Sequence, residues 1–399
     1  MKILTIDIGT GTQDIFLYDS RLNLENGFKL VLPSPTMIVH RRIQAATRAR
    51  KPILLTGHQM GGGPSAWAAE AHASAGLPVY ATPEAATTLN DELDKVEAAG
   101  IKVIAADEVA ALPDSVERIE LRDLDLPALR AAFSHFGVTL DDLAAIAVAV
   151  FDHGSAPAGV SDRQFRFDYL DGRIKGAKSL ASFAYVSHDI PAIMTRLRAV
   201  ADSAGELDCP LVVMDTAPAA ILGAGFDPAV ARRARKIIVN VGNFHTLAFR
   251  LGPTGVEGVF EHHTGEIDLP KLESLLYALA DGSLRHEDVF NSMGHGALIY
   301  DHTPFEFGRE EFDIVVTGPR RSMFRTMDDR PQSTPNPKSK IVNRKFLRPY
   351  YAVPFGDMML AGCFGLLAAT AEVLPDLAEL IRGSLRGDGG RGIAPWDIE

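Results

Sequence analysis

One short turn sets the terms for this chain. Asp7-Ile8-Gly9-Thr10-Gly11-Thr12 sits between the apolar runs Ile3-Leu4-Thr5-Ile6 and Ile15-Phe16-Leu17-Tyr18-Asp19. Two apolar runs joined by Gly and Thr predict a β-hairpin. Glycine lets backbone N–H groups converge on an anion, and threonine hydroxyls add donors. Asp7, at the strand end, can hold a cation or its waters. The turn suits a nucleotide's phosphates with Mg²⁺, although the same residues build ordinary turns for backbone reasons alone.

A related pattern restarts at Lys236. Lys236-Ile237-Ile238-Val239-Asn240-Val241-Gly242 echoes Lys2-Ile3-Leu4-Thr5-Ile6-Asp7-Ile8-Gly9 with a one-residue offset. Leu247-Ala248-Phe249 supplies a returning strand and Val256-Glu257-Gly258-Val259-Phe260 a third. Leu272, Leu275, Leu276 and Leu279 then keep helical spacing. The matched order of elements predicts two similar domains joined near residues 225–235. Their expected extents are 1–228 and 229–384, with a glycine-rich, frayed tail over 385–399.

Length and charge agree with this division. The chain has 399 residues, 46% of them hydrophobic, more than one domain usually holds. A net charge of -11 disfavours a nucleic-acid or acidic-membrane binder. No apolar run of about 18 residues is present, so no membrane span is expected. Met1-Lys2-Ile3-Leu4-Thr5-Ile6-Asp7 is too short and too soon charged for a signal peptide. Cys209 and Cys363 are the only cysteines, too few for a disulfide framework, a zinc cluster or a Cys-held iron–sulfur site in one subunit. A soluble cytoplasmic protein with reduced thiols is expected.

Between the two hairpins, strands and helices alternate. Phe28–Leu32 reads as a strand, Met37–Arg48 as a helix, and Pro52–Thr56 as a short parallel-type strand. A glycine run and an alanine-rich helix follow, then Leu77–Tyr80. Ile101–Ala105 and Ile146–Val150 read as buried strands. A helix from about Ile190 to Ala204 leads to a strand at Leu211–Met214. The alternation predicts an α/β layered sheet.

Five segments carry the chemistry. The first is the Asp7–Thr12 turn and the second is Asn240-Val241-Gly242-Asn243-Phe244-His245-Thr246. The third, Val315-Val316-Thr317-Gly318-Pro319-Arg320-Arg321, is a buried strand ending at a glycine where a backbone can pass close to a base or ribose. Asp215–Gly223 and Gly356–Gly365 read as helices of small residues, which pack closely and can shear.

In this order the five segments resemble the superfamily of actin, heat-shock chaperones and sugar kinases. Asp7–Thr12 is similar to its first phosphate motif and Asn240–Thr246 to its second. Thr317-Gly318 is similar to the adenosine motif, and Asp215–Gly223 and Gly356–Gly365 to the connecting helices. The resemblance implies two ribonuclease H-like domains with ATP and Mg²⁺ in the cleft between them. It implies Asp7 as metal ligand and nucleotide contacts from Gly9, Thr10, Gly11, Thr12, Asn240, Gly242, Asn243, His245, Thr246, Thr317, Gly318 and Arg320. It implies phosphoryl transfer to a small molecule or ATP hydrolysis. The whole string also resembles a prokaryotic branch labelled pyruvate formate-lyase activating enzyme-like. That label implies a radical enzyme with a three-cysteine cluster, which two cysteines exclude.

Two departures bear on catalysis. The second phosphate motif begins with Asn240 where the superfamily has Asp, and an amide brings no negative charge to Mg²⁺. Pro319 stands where a second glycine is usual. Asp7 and Asp14 would then carry the metal side, and Arg320, Arg321 or the basic stretch from Pro331 to Tyr350 the charge side. A binding or scaffold protein of the same fold that has lost catalysis is the alternative.

Three further places invite a role. Thr56-Gly57-His58-Gln59-Met60-Gly61-Gly62-Gly63-Pro64-Ser65 lies between a strand and a helix but lacks the Lys and hydroxyl of a Walker loop. His58, Gly61, Gly62, Gly63 and Ser65 either hold a substrate anion at the helix start or form a plain cap. Asp152 and His153 end a buried strand, where ligand crevices open. Either is a candidate general base, or the pair forms a turn with a bonded histidine. Glu261-His262-His263-Thr264 and His295 suggest a metal, but adjacent histidines on a strand point to opposite faces, which favours structural roles.

Overall fold

The computed structural model describes residues 1–157, 159–327, 346–387 and 395–397. Its contacts group into two compact units: Met1–Asp162 with Phe183–Thr216 and Leu366–Glu399, and Arg163–Ser182 with Ala217–Gly365. Each unit is described separately below.

The first unit holds β1 (Lys2–Ile8), β2 (Thr12–Asp19), β3 (Phe28–Pro33), β4 (Ile53–Gly57), β5 (Val79–Ala81), β6 (Lys102–Val103), β7 (Glu117–Leu121), β8 (Leu143–Val150), β9 (Ala184–Val186) and β10 (Leu211–Asp215). A six-stranded mixed sheet runs β3-β2-β1-β8-β10-β9. β1, β2 and β3 form an antiparallel meander, and β8 and β10 continue parallel to β1. Ile3, Leu4, Ile6, Ile146, Val148, Val212 and Val213 are buried, as parallel strands covered on both faces require. A second, four-stranded parallel sheet runs β6-β5-β4-β7. The helices Pro35–Arg48 and Pro64–Ser74 pack on it through Val39, Ile43, Ala68 and Ala69. Ser34 starts the first of these: its Oγ accepts the Met37 N–H at 3.2 Å, with Pro35 at the first helical position.

The second unit holds β11 (Lys236–Val241), β12 (His245–Gly252), β13 (Gly255–His263), β14 (Gly294–Ile299), β15 (Ile314–Thr317) and β16 (Pro349–Tyr351). They form one mixed sheet in the order β14-β13-β12-β11-β15-β16. Here too an antiparallel meander, β11-β12-β13, is followed on its other side by two parallel strands, β15 and β16. The helix Leu269–Asp281 covers this sheet with Leu269, Leu272, Leu275, Leu276 and Leu279. Each buried leucine contributes about 1.5–3 kcal/mol. The helix is capped by Asp268, whose Oδ1 accepts the Lys271 N–H at 2.9 Å, and stopped by left-handed Gly282 at φ 76°.

The helices Thr216–Ala224 and Ala361–Val373 touch backbone to backbone. A Cβ on Gly223 would lie 1.6 Å from the Ala361 carbonyl oxygen, and one on Gly365 would lie 1.9 Å from that of Ala219. Small residues at this crossing are a steric necessity.

Several expectations are corrected. The strand expected over Ile101–Ala105 shrinks to β6, an edge strand paired only through Lys102 and Val103, with Ile101 and Ile104 buried outside the ladder. The helix expected from Ile190 begins at Thr195, because Pro191 holds its predecessor out of the helical region and Met194 N–H closes a turn on the Pro191 carbonyl at 2.9 Å. The helix expected from Gly356 begins at Ala361. Gly356 is left-handed at φ 75°, and Asp357 Oδ1 accepts the Met359 N–H at 3.0 Å in a local turn. The helix Asp162–Ala177 and the strands β7, β9 and β14 were not anticipated. The basic stretch from Pro331 lies outside the described residues as far as Lys345, and its end forms β16. Most of the expected tail over 385–399 also lies outside them.

Candidate functional site

In the first unit β1 and β2 close through Gly9, Thr10 and Gly11, with Gly9 N–H donating to the Thr12 carbonyl at 2.9 Å. Ser34 clamps the turn: its Oγ donates to the Thr10 carbonyl at 2.5 Å and its N–H to that of Gly11 at 3.2 Å. In a trans peptide C=O and N–H point in opposite directions. The N–H groups of Gly11 and Thr12 therefore face away from Ser34. Gly9 is exposed, and a Cβ there would meet only the Thr12 carbonyl, at 3.4 Å. The turn does not itself require a glycine at position 9.

Acidic side chains collect at the ends of β1, β8 and β10. Asp7 is half-buried, and its Oδ1 accepts the Thr216 hydroxyl at 2.6 Å. Burial pushes its carboxyl from 3.8 up to about 6; the Thr216 bond opposes this and the Asp215 charge adds to it. Asp14 stands directly opposite Asp7 in the antiparallel register and is buried. Like charges at such a position destabilise a sheet. Asp215, the last residue of β10, is buried as well.

Asp152, just past β8, has a different task. Its Oδ1 accepts the Gly154 N–H at 2.8 Å and its Oδ2 the Leu197 N–H at 2.9 Å, which ties the strand end to the first turn of the helix Thr195–Ala204. Burial raises its carboxyl despite these bonds and the Arg196 charge. Both oxygens serve the backbone. His153 is half-buried with its ring edge-on to Phe151 at 4.7 Å.

The glycine loop after β4 rests on a buried ion pair that sequence reasoning missed. Arg196 Nε donates to Asp123 Oδ2 at 2.7 Å, Nη2 to Oδ1 at 2.9 Å, and Nη1 to the Phe151 carbonyl at 2.7 Å. Asp123 Oδ1 also accepts the Gly61 N–H at 3.3 Å, and Thr36 Oγ1 donates to the Gly61 carbonyl at 2.9 Å. A Cβ on Gly61 would lie 2.7 Å from Arg196 Nη2, and one on Gly62 would lie 2.6 Å from the Thr88 carbonyl. Gly63 takes φ 58°. Ser65 Oγ lies 3.1 Å from the Gly61 carbonyl and 3.2 Å from that of Gly62. His58 Nδ1 is 2.6 Å from Glu84 Oε1. Close packing accounts for Gly61 and Gly62, a positive φ for Gly63, and hydrogen bonds to the loop carbonyls for Ser65. No sequence signal points to the ion pair, since β7, the strand before Asp123, is itself not anticipated.

In the second unit Gly242 N–H donates to the His245 carbonyl at 3.0 Å, the same closure as Gly9 on Thr12. Counted from these turns, Asn240 occupies the place of Asp7. Here the glycine is required, since a Cβ on Gly242 would lie 2.6 Å from the His245 carbonyl. Thr264 Oγ1 donates to the Gly242 carbonyl at 2.9 Å, and the fully buried Thr246 hydroxyl is 2.9 Å from Thr264 Oγ1. Asn243 is exposed at the turn.

Asn240 pairs in register with Thr317, which is buried. Gly318 follows at φ 96°, where a Cβ would lie 2.3 Å from Asn240 Oδ1. Arg320 is exposed, and its N–H donates to the Val241 carbonyl at 2.9 Å. The Asn240–Thr246 and Thr317-Gly318 segments therefore adjoin.

Histidines gather in the same unit. His245 and His263 face each other across β12 and β13, and His295 lies in β14. Beneath them Glu261 Oε2 accepts Arg166 Nε at 2.8 Å in a fully buried ion pair. His262 points the other way, its Nδ1 3.0 Å from the His263 carbonyl and its Nε2 2.9 Å from that of Ser292. Adjacent histidines do lie on opposite faces here.

A family model described as "Putative pyruvate format-lyase activating enzyme (DUF1786)" matches residues 60–323. No curated protein sequence matches the chain. Among solved structures, a ROK hexokinase from Thermus thermophilus is similar at 12% identity and a TM-score of 0.22, over 64% of this chain and 47% of that one. An exopolyphosphatase-like protein is similar at 11% identity and a TM-score of 0.23, over 73% of this chain and 61% of that one. A propionate kinase from Francisella tularensis subsp. tularensis SCHU S4 is similar at 8% identity and a TM-score of 0.22, over 64% and 56%. The matched part of each of these proteins is about half of its length. Among the described residues no helix is long and apolar enough to cross a membrane.

Proposed function

The chain belongs to this DUF1786 family, and we propose that it is a cytoplasmic nucleotide-binding protein that uses ATP with Mg²⁺ to transfer phosphate to a small molecule or to water. The observation that carries the reading is Asp7. Its burial and the nearby Asp215 make an ionised carboxylate costly there. A fold that keeps such an acid at a strand end, beside an exposed glycine turn with room for a side chain, retains it for something other than stability.

In this reading Asp7 and Asp215, with Asp14 behind them, hold the metal or its waters. The N–H groups of Gly11 and Thr12 address the phosphates. In the second unit the Gly242–His245 turn and Thr317-Gly318 are the segments that the resemblance matches to the second phosphate and adenosine motifs. Bound ATP with Mg²⁺ supplies the phosphoryl group. Asp152 holds the helix Thr195–Ala204 in place. Two ribonuclease H-like domains are part of the proposal, supported by the five-strand order β3-β2-β1-β8-β10 in one sheet and β13-β12-β11-β15-β16 in the other; the compact units do not follow a single division at residues 228 and 229, since 163–182 and 217–228 group with the second and 366–399 with the first.

The activity in the family's description does not transfer. The three-cysteine cluster it implies needs more thiols than half-buried Cys209 and fully buried Cys363 provide. One observation favours a second reading, nucleotide binding without turnover. Asn240 brings no charge at the position equivalent to Asp7, and the chain packs Gly318 against it.

A thermal-shift series with ATP, ADP and GTP, with and without Mg²⁺, tests the proposal. A bound nucleotide at a hundred times its Kd stabilises the protein by about 2.7 kcal/mol. A rise in Tm that depends on Mg²⁺, together with release of ADP, supports the enzyme. A rise without turnover supports the second reading. No rise with any nucleotide at millimolar concentration overturns both.

A further inference from the structure

Charge is spread unevenly along this acidic chain. Acids make up 51 of its 399 residues, about one in eight, yet none occurs between Glu25 and Glu70. That stretch carries Lys29, Arg41, Arg42, Arg48, Arg50 and Lys51. The last five belong to one place in the first unit, the helix Pro35–Arg48 and the turn after it, and all five are exposed. Arg42 and Lys51 share a single carboxylate, Glu117, at 3.7 and 3.8 Å. Arg41, Arg48 and Arg50 make no ion pair among the described residues. The face keeps an excess of four positive charges. A helix dipole draws cations to the C-terminal end, which suits Arg48, but Arg41 and Arg42 lie in the middle of the helix.

Arg50 is the second, independent observation. The helix ends in a Schellman turn: the Lys51 N–H donates to the Ala46 carbonyl at 3.0 Å and the Arg50 N–H to that of Thr47 at 3.1 Å. Arg50 takes the left-handed position at φ 52°, where glycine is the usual residue because a Cβ is costly there. An exposed, unpaired arginine in that position is a charge retained against the preference of the backbone.

The complement lies at the opposite edge of the same four-stranded sheet. The order β6-β5-β4-β7 makes β7 and β6 its edges. The helix Pro35–Arg48 packs on β7, and the helix Leu93–Ala98 packs on β6. From Asp91 to Glu108 there are six acids and two lysines. Both lysines are bound within the patch, Lys95 to Glu92 at 2.5 Å and Lys102 to Glu108 at 3.6 Å. Asp91, Asp94, Glu97 and Asp107 are exposed and make no ion pair among the described residues, an excess of four negative charges. Three strand spacings of ~4.8 Å separate the edges. That exceeds the Debye length of ~10 Å at about 0.1 M salt, so the two faces do not neutralise each other within one copy.

We propose that they meet between copies: the basic face of one protein docks on the acidic face of a second, in a head-to-tail self-association. The faces are different surfaces, so the contact is heterologous and the assembly extends or closes into a ring. Arginine suits the contact, because its planar fork binds a carboxylate bidentately. The partner need not be another anion, since the matching excess of four charges is on the chain itself. Long-range repulsion between copies of net charge -11 opposes association. Salt at about 0.1 M screens that repulsion beyond ~10 Å and leaves touching side chains attracted; at about 1 M, with a Debye length of ~3 Å, the attraction is weakened as well. The contact needs no nucleotide.

Sedimentation equilibrium of the full chain without nucleotide, at about 0.1 M and about 1 M salt and from low to high micromolar protein, tests this. The expected result at the lower salt is a weight-average mass that climbs above the 43.1 kDa of one chain as concentration rises, and that falls back at the higher salt. Arg41→Glu with Arg48→Glu, and separately Asp94→Lys with Glu97→Lys, each weaken association at least tenfold. Mixing the two variants restores it, because each supplies the face that the other lacks. Arg50→Gly weakens association while melting no lower than the wild type, which separates a role of the charge from a role in folding. A wild type that stays at the mass of one chain overturns the proposal and leaves the basic face to an anionic partner other than this chain. Association that ignores salt or survives both reversals also overturns it, as does a mixture no heavier than its parts. If a reversal variant fails to fold, the salt dependence of the wild type and the behaviour of Arg50→Gly decide.

Discussion

Replacing Asp7 with asparagine should stabilise the protein at neutral pH while removing the carboxylate proposed to hold the metal. The Asp7 carboxyl is raised from 3.8 to about 6, so the folded state binds a proton roughly a hundredfold more tightly than the unfolded chain, worth about 3 kcal/mol. Asp7 keeps partial contact with solvent, and screening reduces this to about 2 kcal/mol. The sign follows from proton linkage. Below about pH 4 both states are protonated and there is no penalty. Between about pH 4 and 6 the native state holds the proton that the unfolded chain has lost, so stability falls as pH rises; above about pH 6 the penalty is constant. Asparagine keeps an acceptor for the Thr216 hydroxyl and carries no charge. Asp7→Asn should therefore gain about 2 kcal/mol at pH 7.5, or roughly 2–4 °C in Tm, and nothing at pH 4. Urea unfolding followed by circular dichroism from pH 4 to 8 reads both effects. A variant less stable than the wild type at pH 7.5, or one that keeps the full decline between pH 4 and 6, would refute the reasoning.

Four other substitutions probe the frame. Gly223→Ala or Gly365→Ala drives a methyl into a carbonyl 1.6 or 1.9 Å away and should cost roughly 3 kcal/mol or more, seen as a lower urea midpoint. Asp123→Ala leaves the Arg196 guanidinium without its buried carboxylate. It should cost about 3–5 kcal/mol and speed hydrogen exchange at the Gly61 amide, which bonds the same carboxylate. Gly318→Ala meets both a left-handed φ and Asn240 Oδ1 at 2.3 Å. It should cost at least about 1–3 kcal/mol, and replacing Asn240 with alanine in the same chain should recover part of the loss in thermal melts.

Legibility followed the reach of the signal. The hairpins at Asp7 and Gly242 could be read because unbroken apolar runs flank a glycine turn, and the leucine spacing after residue 269 could be read because one helix face is buried. Asp7, Asn240 and Gly318 fall at strand ends for the same reason. The helix over Asp162–Ala177 was missed because charged residues interrupt its apolar face. Helix starts near Ile190 and Gly356 were misplaced where a proline or an Asx turn overrides composition. Distance in sequence hid the rest. Arg196 reaches Asp123 across 73 residues, and Arg166 reaches Glu261 across 95. Asp215 was taken for the edge of a helix, and only the sheet order sets it near Asp7. In the Gly61–Ser65 loop the sequence shows the glycines but not the neighbours from Thr36, Thr88 and Arg196 that crowd Gly61 and Gly62.

The central claim is that Asp7 and Asp215 hold a metal-bound nucleotide. Isothermal titration of ATP into the wild type, Asp7→Asn and Asp215→Asn, with and without Mg²⁺, tests it most directly. The account predicts Mg²⁺-dependent binding by the wild type and at least tenfold weaker binding by each variant, although Asp7→Asn is the more stable protein at pH 7.5. Binding that neither substitution nor removal of Mg²⁺ weakens would contradict it, as would no binding by the wild type.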